Sequence, residues 1–137
     1  MRLVDNGDAM ERSGSSEWPA AGSTMTVAAR HDGVVGVVEV AGAVDHLTEG
    51  ELRDVLLEAL SEQPPVLVMD LSAVRFFGSI GLAILVEAQQ QAGQQTAIRL
   101  VVTTPVTRLP LEVTGLSNAF ALYDSLREAV NRPSGRP

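Results

Sequence analysis

Ser79 is the side chain in this sequence best placed to do chemistry. It lies in Phe77-Gly78-Ser79-Ile80-Gly81-Leu82, where an apolar run gives way to a helical pattern. A serine nucleophile needs a base within reach, and the hydrolase elbow needs glycine two positions before the serine, where this chain has Phe77. The histidines are His31, in a predicted hairpin turn, and His46, ahead of the first predicted helix. Neither has triad or metal spacing, so structural or solvent-exposed roles are expected for both. Gly33 and Gly36, and Gly78 and Gly81, are spaced glycines, but neither phosphate-cradling glycine pattern occurs. The chain has no cysteine, which removes disulfides, thiolate metal sites and thiol switches. All ten basic residues are arginine, which removes the P-loop lysine and Schiff-base chemistry. The expectation is a protein that is not an enzyme and has no cofactor or metal.

The same hydroxyl suits regulation. Phosphorylation would add about −1.5 to −2 charges at the start of a helix. Within the fold that is tolerable, because a helix N-terminus favours an anion by roughly 0.3–1 kcal/mol. Across an interface, a dianion against an apolar or acidic partner is costly. A penalty of about 2.8 kcal/mol weakens binding about 100-fold. Two readings of Ser79 stay open on local sequence: a plain helix N-cap, or a modifiable group on a recognition surface.

The elements that must position it can be read in order. Residues 1–23 lack periodicity and read as a flexible tail, with Trp18 either a docking anchor or a plain tail residue. Met25–Arg30 and Val34–Val40 read as two strands joined through His31-Asp32-Gly33, after which residues 41–47 leave the sheet. Thr48 to Glu51 is a capping box, followed by an apolar stripe of Leu52, Val55, Leu56 and Ala59. Pro64-Pro65 ends that segment and feeds the buried strand Val66–Asp70, with a connector from Leu71 to Gly78. A helix is predicted from Ser79 to about Gln91. Leu82, Leu85 and Val86 should pack on the sheet, and Ile80 and Ile84 should lie on another, exposed face. Ile98–Val102 reads as a strand. Thr104-Pro105 starts a helix that Pro110 should shorten or break. Ala119–Tyr123 reads as a last strand, and Ser125 to Glu128 as a second capping box opening a terminal helix. Residues 132–137 read as a C-terminal tail. The order ββαβαβαβα implies an α/β fold with a mixed sheet of four to five strands and about four helices.

At 137 residues the chain suits one domain, and with 4% aromatic residues its core must be aliphatic. A net charge of −7 argues against nucleic acid or an anionic membrane as partner. No apolar run approaches the roughly 20 residues that span a bilayer, and no signal peptide is evident, so a cytoplasmic location is expected.

Three segments together resemble the STAS family, specifically the bacterial anti-sigma factor antagonists. Gly42-Ala43-Val44-Asp45 is similar to the family's Gly-x-x-Asp after the second strand. Asp70-Leu71-Ser72, followed by Gly78-Ser79-Ile80-Gly81-Leu82, resembles its signature, which usually reads Asp-Ser-[Ser/Ala]-Gly-Leu. Thr104-Pro105-Val106-Thr107-Arg108-Leu109, with Thr114-Gly115-Leu116, resembles its Pro-x-Val-x-Arg-x-Leu and Gly-Leu pattern. The resemblance covers roughly residues 24–131 and implies the STAS fold. It implies a bacterial transcription regulator of the kind found in stress responses, which binds an anti-sigma factor that is also a GHKL-type serine kinase and so frees a sigma factor. It makes Ser79 the phosphoacceptor, with a serine phosphatase as the resetting enzyme. It makes Asp45, Gly78, Ser79, Ile80, Gly81 and Ile84 the partner-binding residues. Separately, a monomer or weak homodimer is expected, since an exposed Ile84 could serve a second copy as well as a different partner. The alternative is a STAS module that is never phosphorylated, a scaffold or an accessory subunit of a lipid-transport ATPase. Gly78 departs from the pattern, since the family usually has Asp there.

Overall fold

The computed structural model describes residues 24–133; the segment 1–23 with Trp18, and residues 134–137, lie outside the described residues. The elements are β1 (Met25–Asp32), β2 (Val35–Val44), α1 (Glu49–Ser61), β3 (Val66–Phe77), α2 (Ser79–Ala92), β4 (Ala97–Val101), α3 (Pro105–Val113), a 3₁₀ turn (Leu116–Asn118), β5 (Ala121–Tyr123) and α4 (Leu126–Asn131). The five strands form one sheet in the order β1-β2-β3-β4-β5. β1 pairs antiparallel with β2 and the other neighbours are parallel, which gives the mixed α/β architecture the sequence predicts.

Strand alternation divides the core between the two faces of the sheet. Val38, Leu67, Met69, Leu71 and Leu100 point into the larger cluster, where they meet Leu52 and Leu56 of α1, Ile84 and Leu85 of α2, and Leu111 of α3. Val37, Val66, Val68 and Val101 point the other way, against Ala129 of α4. Arg99 emerges on this second face and is buried. Its guanidinium donates to the carbonyls of Ala129 (2.7 Å), Arg132 (2.9 Å) and Pro133 (3.1 Å). It also stacks over the Tyr123 ring at 5.7 Å. One buried cation thereby holds the end of α4 to the sheet.

Several boundaries differ from the sequence reading, each for a local reason. The hairpin turn is Gly33-Val34, with Gly33 at φ 66°, so His31 belongs to β1, where its ring meets Glu62 at 2.9 Å. β2 does not leave the sheet at Val40 but continues to Val44, and the connector after Asp70 is strand as far as Phe77. The two run on together in parallel, with Ala41 opposite Ala73 and Val44 opposite Phe77, through two register shifts. The shifts interrupt the two-residue alternation, which hid these segments from pattern reading. On its other side β3 pairs with β4 only as far as Asp70, and α3 packs against β3. Pro110 does not break α3, which runs through it to Val113.

Gly42 lets the start of β1 lie against the extended part of β2. Its φ of 95° is open to glycine, and a Cβ there would stand 2.3 Å from the carbonyl oxygen of Thr24. That carbonyl accepts from the N–H of Ala43 at 2.8 Å, which ties the chain entering β1 onto β2.

Two stability effects follow. Gly42→Ala should destabilise the fold by about 2–3 kcal/mol in urea unfolding; a change below about 0.5 kcal/mol would show that β1 re-pairs freely. Arg99→Met should cost about 2–3 kcal/mol, because it leaves three carbonyls without their donor. It should also speed amide exchange in α4 ahead of the rest of the chain; uniform exchange would contradict a local clamp.

Candidate functional site

The parallel run of β2 and β3 ends with Val44 beside Phe77. The N–H of Gly78 donates to the carbonyl of Val44 at 3.3 Å, so the loop after β2 and the start of α2 leave the sheet side by side. Asp45 and Ser79 come to the same edge.

Ser79 is exposed and is the first residue of α2. It is not the N-cap. That position belongs to Gly78, in extended conformation, whose carbonyl accepts from Gly81 (2.9 Å) and Leu82 (3.4 Å). The expectation that the Ser79 oxygen caps the helix is therefore corrected, and a glycine cap supplies no side-chain acceptor. The N–H groups of Ser79 and Ile80 come before the first donor of the helix, Gly81, and so stand at its positive end without an intrahelical acceptor.

Thr48 also differs from its predicted role. It precedes α1 but accepts no bond from the helix. Its Oγ1 donates to the carbonyl of Ala43 at 2.9 Å and accepts from the N–H of Asp45 at 3.0 Å, closing the loop on itself. Asp45 Oδ1 accepts from the N–H groups of Leu47 (3.0 Å) and Thr48 (3.2 Å). The carboxylate thus shapes its own loop, and the loop presents Leu47, which is 63% exposed.

Of the residues grouped as a partner surface, Asp45, Gly78, Ser79 and Ile80 are at least partly accessible at this edge. Gly81 and Ile84 are not. Ile84 is 1% exposed within the main core, so its predicted place on an exposed face is corrected. Gly81 is buried because the ring of Phe77 lies where its Cβ would be, 2.6 Å from the nearest ring carbon. The buried face of α2 is Gly81, Ile84, Leu85, Ala88 and Ala92, and Val86, expected on the sheet, is turned to solvent. Three small residues let the helix approach closely, and counting only large apolar side chains misplaced its face.

Arg53 of α1 fixes α2 from the side. Its Nε donates to Glu87 at 2.7 Å and its Nη1 to Glu49 at 2.8 Å. The bond to Glu87, then that to Glu49, raises the guanidinium pKa above its ordinary value.

Two further residues at this edge escaped the sequence reading, Leu47 and Phe76, the latter 52% exposed. The signal for Phe76 was available. Consecutive residues of a strand face opposite sides, so Phe76 and Phe77 cannot both enter the larger core cluster, and at this end of β3 only Phe77 is buried. Away from this edge, an open groove of about 290 Å³ runs across β1, β2 and β3, lined in part by Thr26, Glu39, Asp70 and Ser72. Ser72 donates to Asp70 at 2.6 Å. No group of three acidic, histidine or cysteine side chains among the described residues is placed to hold a metal ion. Among them, too, no helix is long and apolar enough to cross a membrane.

Comparison with known proteins identifies the family of this fold. The STAS domain family model matches residues 26–129. The anti-sigma-F factor antagonist RsfB of Mycobacterium tuberculosis is 38% identical over 112 residues, covering 82% of this chain and 90% of that protein. The crystal structure of an anti-sigma factor antagonist from Mycobacterium paratuberculosis superposes with a TM-score of 0.77 at 37% identity, covering 82% of this chain and 96% of that one. An anti-sigma-factor antagonist (STAS) domain protein from Planctomyces limnophilus shares the fold, with a TM-score of 0.64 at 22% identity over 76% of this chain and 94% of that one. With its sheet order, its family match and these relatives in agreement, the chain belongs to the STAS domain family.

Proposed function

We propose that this protein is an anti-sigma factor antagonist working in the cytoplasm. Unphosphorylated, it binds an anti-sigma factor through the edge formed by the Asp45–Thr48 loop and the start of α2, and so frees a sigma factor. The anti-sigma factor is a serine kinase of the GHKL type, Ser79 is its phosphoacceptor, and a serine phosphatase resets the cycle. The observation that carries this reading is the placement of Ser79. Its hydroxyl is exposed, bonds to no other described residue, and stands at the first position of a 14-residue helix. A kinase can reach it without unfolding anything.

The electrostatic argument supports the direction of the switch. A phosphate at this position meets the positive end of α2, which favours it by roughly 0.3–1 kcal/mol within the fold. The same edge carries Leu47 and Phe76, exposed and apolar, with His46 exposed beside Leu47. A partner surface that matches them is low in polarity, and there a desolvated dianion is unfavourable by several times more. The modified protein stays folded and the complex is lost.

The test uses each anti-sigma factor of the source genome, purified, with ATP and the full-length chain. One of them should bind the wild type and leave a phosphate mapped to Ser79 by mass spectrometry. Ser79→Asp should weaken that complex about 100-fold at unchanged melting temperature, and Ser79→Ala should bind and stay bound in the presence of ATP. If both variants bind and dissociate as the wild type does, no switch resides at Ser79. Binding without any phosphate adduct would instead make the chain an unmodified scaffold.

A further inference from the structure

Phe76 and Gly78 form a pair at this edge that neither the switch nor the fold requires. Phe77 is buried against Gly81, and Phe76, on the opposite side of the strand, is 52% exposed. Gly78 has φ −88°, a conformation open to any residue, so its lack of a side chain is not needed for the backbone. What it leaves room for is the neighbouring ring. A Cβ on Gly78 would stand 3.3 Å from Cε2 and 3.5 Å from Cζ of Phe76, so the ring lies across the glycine. Beside it, Asp45 spends its carboxylate on the N–H groups of Leu47 and Thr48, and Leu47 projects into solvent. The edge that carries the Ser79 hydroxyl therefore presents two exposed apolar side chains, Leu47 and Phe76, alongside the exposed His46, with its loop carboxylate already engaged.

We infer that the Phe76 ring, seated on Gly78, is the aromatic anchor with which this surface enters an apolar pocket of the anti-sigma factor. The inference rests on the antagonist reading of the Ser79 edge and names what that edge recognises. A half-exposed aromatic ring with few torsions, continuous with the switch residue, has the character of an interface hot spot. Its position also explains how phosphorylation acts at short range: the phosphate enters beside the ring that the partner must desolvate. In this chain a side chain at position 78 would press on the edge of the ring and shift it from its place. A half-exposed ring can swing outward, so a side chain at 78 is absorbed with little loss of stability, and its effect falls on binding.

The experiment uses the full-length chain and the purified anti-sigma factors of the source genome, titrated by calorimetry. Phe76→Ala should weaken the complex about 30-fold, a hot-spot effect of about 2 kcal/mol, at unchanged melting temperature. Phe76→Leu should retain most of the affinity. Gly78→Ala and Gly78→Asp should fold normally and bind at least about tenfold more weakly. A partner-free measurement accompanies these: the wild type should show a nuclear Overhauser contact between the Phe76 ring and the Gly78 Hα. Absence of that contact overturns the seat. If the wild type binds an anti-sigma factor and Phe76→Ala binds it within about twofold, the anchor is wrong and the antagonist reading stands. If the wild type binds none of them, the antagonist reading falls and the anchor with it.

Discussion

The parallel pairing of Ala41–Val44 with Ala73–Phe77 is the constraint on which the rest of this molecule depends. It carries two strands past the point where β4 stops pairing, and so carries the Asp45 loop and the start of α2 to one edge. Backbone groups in such an overhang need partners or water. On one side Thr24 supplies a carbonyl to Ala43, and on the other α3 packs against β3. Gly42 lets the first of these contacts form at all, since any side chain would meet the Thr24 oxygen. The glycine of the Gly-x-x-Asp segment and the aspartate three residues on thus do one job in two steps. The glycine admits β1 alongside β2, and the aspartate then folds the loop that follows.

Much of this was legible from residue order, and the failures have definite physical causes. Element types and their sequence came through because aliphatic strands and amphipathic helices differ in period. The Ser125 cap also came through: its Oγ accepts from the N–H of Glu128 at 3.1 Å, a bond that depends on four consecutive residues and no tertiary contact. Thr48 carries the same local signature, yet its hydroxyl goes to Ala43, because a strand end five residues away offers a buried carbonyl that competes with the helix. A local motif predicts its own bond only where no tertiary acceptor stands closer.

The buried face of α2 failed for a related reason. Gly81, Ala88 and Ala92 contribute little to a hydrophobicity count, yet they decide how near the helix comes to the sheet and hence which large side chains are swallowed. Ile84 enters the core on that account, and Val86 does not. Information of this kind resides in complementary surfaces of different elements, Ile84 in one cluster with Leu52 and Leu56 of α1 being one instance, and no short window of sequence contains both sides of it.

The displacement of Ser79 from the N-cap to the first helical position changes what a modification there can mean. An N-cap hydroxyl accepts a bond from the first turn, worth about 1 kcal/mol to the helix. Phosphorylating such a group would alter a structural bond as well as adding charge, and stability would be coupled to signalling. With Gly78 as the cap, the helix begins without help from the serine side chain. The hydroxyl is released from structural duty. A charge placed on it meets the helix dipole on the inner side, while a partner docking on this edge meets it together with the exposed apolar Leu47 and Phe76. The two environments have opposite preferences, so a single group can leave the fold intact while reversing the character of the surface.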